Sequence, residues 1–301
     1  MKGRKIVAWL AGGLLMAWAA LAIAQPAAGS PYSVRDDLQR EVRFERPPLR
    51  VVSLLPSLTE TVCALGECQR LVATDRYSNW PSQVIGPLPK TGGLDDPQIE
   101  MIASLRPDLI LLARSSRVTD RLAQLGLKTF AVETTTYQGI ARSIGLVAQV
   151  LGVPEQAVAL NRRLQDEVDT IGRDARARRG QRPAPRVYFE VDSALFAASE
   201  SSFIGELLSR LGAQNIVPAA LGPFPKLNPE FVVQRNPEVI FISPTQAPNL
   251  AQRPGWGSVR AVREQRLCSL TPEARDAVVR PGPRVAEGMR ALADCLDKVA
   301  P

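Results

Sequence analysis

The chain contains no histidine. That absence removes Ser-His-Asp catalysis and all imidazole acid–base chemistry. It also removes the commonest transition-metal ligand, so free zinc or manganese is a poor candidate cargo. No G-x-S-x-G elbow and no G-x-x-x-x-G-K-[ST] phosphate loop occurs. The expectation is therefore that the protein is not an enzyme. The excess of one charge sign is small: 37 Lys and Arg against 30 Asp and Glu give a net charge of +7. With no basic run interleaved with aromatics, nucleic acid is not an expected partner.

What is present begins with a leader. Lys2, Arg4 and Lys5 precede an apolar run from Ile6 to Ala24, closing on the small-x-small sequence Ala22-Ile23-Ala24. This pattern predicts a signal peptide over residues 1–24, cleaved on export to the periplasm. The alternative is an uncleaved anchor, since the run approaches the ~20 residues that span a bilayer. Gln25-Pro26 then opens a polar linker, and no lipid-accepting Cys follows.

Four cysteines in an oxidising compartment predict two disulfides. Cys63 and Cys68 flank a turn at Gly66, and Cys268 and Cys295 lie in the last segment, so we expect Cys63–Cys68 and Cys268–Cys295. A metal site is the competing reading, but C-x4-C is not the usual zinc spacing. No resident cofactor or metal is expected.

The roughly 275 residues left after cleavage exceed one ordinary core, so two lobes are expected. Residues 25–48 read as a linker and a small hairpin. Residues 49–153 alternate strands and helices: strands at 50–55, 71–74, 108–112 and 128–132, helices at 58–65, 98–105 and 118–125. Alternation of this kind implies an α/β fold with mainly parallel sheets flanked by helices. Across 154–182, Ala157, Leu160, Leu164, Val168, Ile171 and Ala175 recur at helical spacing among charged residues, predicting one long helix with a narrow apolar stripe. The strand pattern resumes at Arg186, opening a second lobe over 183–301.

The lobes echo each other. Glu100-Met-Ile and Arg106-Pro-Asp-Leu-Ile110 correspond to Glu230-Phe-Val and Asn236-Pro-Glu-Val-Ile240, with one constant offset and no gap. An internal repeat of this kind signals pseudo-symmetric lobes.

These segments, with Arg50-Val-Val-Ser-Leu-Leu-Pro-Ser-Leu-Thr-Glu60, Arg253-Pro-Gly-Trp256 and Arg280-Pro-Gly-Pro-Arg284, resemble the periplasmic binding proteins of cobalamin and ferric-siderophore ABC importers. The resemblance covers nearly all of the mature chain and is nearest the cobalamin-binding branch. It implies two lobes joined by one rigid helix, a monomer, a ligand in the cleft, and an ABC permease with its ATPase as partners.

Asp75-Arg-Tyr-Ser-Asn-Trp-Pro81 is similar to the family's cleft loop, which makes Tyr77 a ligand-facing aromatic and Trp80 its neighbour. Phe196 and Phe224 match cleft aromatics of the second lobe. Two further cleft tryptophans of the family are replaced near Gly93-Leu94 and Ala113-Arg114. Cys295 matches a family cysteine whose usual partner position, near Leu211-Gly212, holds none. Trp256 reads as structural.

The resemblance also implies that Glu100 and Glu230 dock on arginines of the permease. An acid in the first turn of a helix is also favoured by the helix dipole. Arg76, Arg114, Arg117 and Arg284 could border the cleft and motivate an anionic ferric siderophore as the alternative ligand, against a reading as solvated surface. Haem stays open, because Tyr can ligate iron.

Overall fold

A computed structural model of the chain describes residues 30–299; the leader lies outside them. Among the described residues no helix is long and apolar enough to cross a membrane. A two-stranded hairpin, β1 (Tyr32–Arg35) and β2 (Glu41–Phe44), precedes the first lobe. That lobe contains β3 (Val51–Ser53), α1 (Pro56–Ala64), β4 (Leu71–Thr74), α2 (Ser82–Ile85), α3 (Ile99–Ser104), β5 (Leu109–Ala113), α4 (Thr119–Gln124), β6 (Thr129–Val132) and α5 (Tyr137–Leu151). The linking helix α6 runs from Pro154 to Arg179.

The second lobe holds β7 (Arg186–Phe189), α7 (Phe203–Arg210), β8 (Gln214–Asn215), α8 (Pro229–Arg235), β9 (Val239–Ile242), α9 (Arg260–Arg263), β10 (Leu267–Ser269), α10 (Pro272–Val279) and α11 (Val285–Val299). Each lobe is a four-stranded parallel sheet, ordered β4-β3-β5-β6 and β8-β7-β9-β10. Both read second, first, third, fourth, so the repeat in the sequence is a repeat in topology.

The strands are apolar on both faces, as parallel strands must be when helices cover each side. Val51, Leu109, Leu111, Phe130 and Val132 point into the main core, while Val52, Ile110, Leu112 and Ala131 point to a smaller outer one under α3 and α4. In the second sheet Val187, Phe189, Val239 and Phe241 join the main core, and Tyr188, Ile240 and Ile242 join an outer cluster around Trp256. The main core is continuous between the lobes because α6 runs through it, burying Ala157, Leu160, Leu164, Val168, Ile171 and Ala175. At 1.5 Å per residue its 26 residues make a strut of about 39 Å.

Both expected disulfides are present, Cys63–Cys68 and Cys268–Cys295. Near Leu211 and Gly212, Arg179 donates to both backbone carbonyls (3.1 and 2.6 Å). Trp256 is fully buried, packed edge-on to Tyr188 at 6.0 Å, which supports its structural reading.

Sequence reasoning passed over helix α5. Its signals are present: Thr136 caps the first turn by accepting the Gly139 N–H, Ile140, Ile144, Val147, Ala148 and Leu151 make a buried stripe, and Gly152 ends it at φ 72°.

Candidate functional site

Ligands of parallel α/β sheets bind beyond the carboxyl ends of the strands. A 390 Å³ cavity lies there in the first lobe. Its walls are the β3–α1 turn (Leu55–Leu58), Leu94, the segments after β5 (Ala113–Ser115) and β6 (Val132–Thr135), and, from the second lobe, Val279, Arg280 and Pro281. The cavity is therefore a space between lobes. None of Tyr77, Trp80, Phe196 or Phe224 lines it. Leu94, Ala113 and Arg114, where the resemblance expects aromatics, do.

Tyr77 is 51% exposed. Its loop is held from below by a polar scaffold. The buried Asp75 accepts the N–H groups of Tyr77 (2.8 Å) and Ser78 (3.1 Å) and the Ser78 hydroxyl. Thr59 bonds the hydroxyls of Ser53 (2.9 Å) and Ser78 (2.8 Å). Lys90 donates to Thr74 Oγ1, the Ser78 carbonyl and the Ile85 carbonyl. Burial pushes the Asp75 carboxyl up against the pull of these bonds, and pushes the Lys90 ammonium down against the attraction of Asp75.

Trp80 is half-buried, with the Arg284 guanidinium 5.3 Å from its ring centre. Phe196 is 37% exposed, in a short bridge to Lys226. Phe224 is half-buried, edge-on to Phe203 at 5.9 Å. The structure thus leaves Tyr77 and Phe196 facing solvent and commits much of Phe224 to packing.

The arginines are largely spent on protein carboxylates. Arg76 pairs with Asp96, Arg114 with Glu133 at 2.6 Å, and Arg284 with Glu287; Arg117 is exposed. Glu100 and Glu230 are both exposed on the first turns of α3 and α8. Each helix leads into the third strand of its lobe, so each acid sits at the carboxyl edge of its sheet. The Glu100 carboxylate accepts from Arg121 at 3.1 Å, an exposed pair of small worth.

The group that sequence reasoning missed is Glu60 with Arg280. Glu60 is 1% exposed in a helix buried along most of its length, and its Oε1 accepts from Arg280 of the other lobe at 2.8 Å. Its Oε2 has no hydrogen-bond partner among the described residues. Burial pushes the Glu60 carboxyl up, while Arg280 and Arg284 pull it back, with a net upward shift. Flanked by Thr59 and Thr61, Glu60 gives no sign in the sequence that it is buried; the need of a buried carboxylate for a partner becomes visible only in the fold.

The fold and this cleft define a two-lobed solute-binding protein. The chain belongs to the periplasmic binding protein family, whose profile matches residues 51–274. It is 26% identical over 275 residues to the uncharacterized ABC transporter substrate-binding lipoprotein YvrC of Bacillus subtilis, covering 88% of this chain and 85% of that one. It is 34% identical over 202 residues to the vitamin B12-binding protein of Yersinia pestis, covering 66% and 70% respectively. Among solved structures, the periplasmic heme-binding protein BhuT in complex with two hemes superimposes with a TM-score of 0.72 at 25% identity, covering 83% of this chain and 98% of that one.

Proposed function

We propose that the exported chain, as a monomer, binds cobalamin or a related corrinoid between its lobes and hands it to an ABC permease driven by its ATPase. The observation that carries this reading is the 34% identity to a vitamin B12-binding protein across two thirds of the chain. Tyr77 and Phe196 do not line the cavity, but the Tyr77 carbonyl bonds its lining residue Arg280, and the exposed rings agree with the reading. A corrin is a broad, largely apolar disc, which suits exposed aromatic faces such as Tyr77 and Phe196. Arginines already paired to Asp96, Glu133 and Glu287 leave little unpaired positive charge for an anionic siderophore.

A haem ligand is the second reading. It is favoured by the likeness to BhuT and by the exposed Tyr77, whose phenol suits ferric iron. Titrating the processed protein with cyanocobalamin, haemin and a ferric siderophore decides. One-to-one cobalamin binding with shifted absorbance supports the first reading; saturable haemin binding lost in Tyr77→Phe supports the second. Delivery rests on Glu100 and Glu230. The variant with both changed to Ala is expected to keep ligand affinity and lose transport, and a loss of affinity instead would refute docking. Edman sequencing of the exported protein tests cleavage after Ala24.

A further inference from the structure

The loop carrying Tyr77 and Trp80 belongs to the first lobe, but the second lobe holds much of it in place. Arg280 sits between α10 and α11 with only 10% of its side chain exposed. Its Nη1 donates to Glu60 Oε1 and Asn79 Oδ1, both at 2.8 Å. Its Nη2 donates to the Tyr77 carbonyl at 3.1 Å and to Asp276 Oδ2 at 2.7 Å. Asn79 closes the ring by donating to the same Asp276 oxygen at 3.0 Å. Arg284, one turn further on, covers Trp80 and lies 3.6 Å from Glu60.

The two kinds of support differ. Asp75 and Lys90 hold Ser78 and the loop's start from within the first lobe, whatever the second lobe does. The Tyr77 carbonyl and the Asn79 side chain are held across the gap. One planar guanidinium meets four acceptors on both lobes only while the lobes keep this separation. Water entering a widened gap would weaken each bond.

We propose that Arg280 is the positioning residue of the ligand-facing loop, fixing Tyr77 to Trp80 only while the lobes are together, so that parting the lobes frees the loop and lowers ligand affinity. Glu60 is the buried counter-charge that keeps the guanidinium in place. The proposal rests on the reading that this loop faces the ligand.

The test uses a reporter already in the protein. Trp9 and Trp18 lie in the leader and Trp256 is fully buried, so acrylamide-quenchable emission of the processed protein comes from Trp80. Arg280→Lys keeps the charge and loses the fork. It is expected to increase quenching of the ligand-free protein, with far-UV circular dichroism unchanged, and to speed cobalamin dissociation about tenfold, the loss of roughly one charge-assisted hydrogen bond. Asn79→Ala, an exposed position, removes the side-chain links from the loop to Arg280 and Asp276 and leaves the Tyr77 carbonyl bond. It should shift both readouts the same way by less, which covers the case in which Arg280→Lys fails to fold. Unchanged quenching in both variants overturns the proposal, even if cobalamin binds. Increased quenching in a protein that binds no cobalamin upholds the positioning role and removes the ligand reading instead.

Discussion

Arg106 and Asn236 occupy the same left-handed backbone well, at φ 46° and 44°, at matching places in the two lobes. Each closes the short helix that leads into the third strand. Asn tolerates this conformation and uses it, since Asn236 Oδ1 accepts the Arg260 N–H at 2.8 Å. Arg106 carries the steric penalty without that return. Arg106→Gly is expected to stabilise the protein by about 0.5–1 kcal/mol, and Asn236→Ala to destabilise it by about 1–2 kcal/mol, by urea denaturation.

The repeat was legible in the sequence because its residues perform the same task once in each lobe. Asp108 accepts the N–H groups of Leu49 (2.9 Å) and Arg50 (3.0 Å), and Glu238 accepts that of Arg186 at 3.0 Å. Arg50 and Arg186 donate to the carbonyls ending α3 and α8. Chemistry repeated inside each lobe leaves a motif that appears twice, even though its partners are 49 to 59 residues apart. The Glu60–Arg280 contact leaves none, because its partners lie 220 residues apart and meet only when the lobes assemble. The same limit applies to the cleft. The resemblance supplied Tyr77 and Phe224 alike, and only tertiary packing distinguishes an exposed ring from one seated on Phe203.

That distinction is measurable. Tyr77→Ala removes an exposed aromatic face, so cobalamin affinity should fall up to about tenfold with an unchanged denaturation midpoint. Phe224→Ala should cost about 2 kcal/mol of stability, because its ring packs against Phe203. Absorbance titration and denaturation of both variants separate the roles.

Glu190 and Arg253 form a two-bond pair at 2.6 and 2.8 Å, with the carboxylate buried and the guanidinium 4.6 Å from the Trp256 ring. Arg253→Met strands that buried charge, and a loss of about 3–5 kcal/mol is expected. Adding Glu190→Gln should recover part of it. Strict additivity in a double-mutant cycle would show that the pair is not coupled.

The disulfides should differ in worth. Cys268–Cys295 spans 27 residues and Cys63–Cys68 only 5. Loop-closure entropy then gives about 3.5 kcal/mol for the longer loop and about 2 kcal/mol for the shorter. Paired Cys→Ser variants should lose stability in that order, measured by thermal unfolding without reductant.

Acid should weaken the hairpin's attachment before other parts of the fold. Asp37 accepts from Arg142 at 2.6 and 2.9 Å and from the Glu133 N–H at 2.6 Å. Burial pushes its carboxyl up, but these donors outweigh burial and hold it below the ordinary carboxylate range. A folded value below the unfolded one means stability that is complete above the unfolded pKa and is lost as pH falls through the folded pKa. The guanidinium is half exposed to solvent, so the contribution is about 1 kcal/mol. Asp37→Asn should therefore be less stable than the parent at pH 6, with the gap closing as the pH falls below about 4. Hydrogen exchange should show β1 and β2 losing protection first in the variant at neutral pH, as in the parent at acid pH. A gap that stays constant with pH would mean that the Asp37 charge does not hold the hairpin.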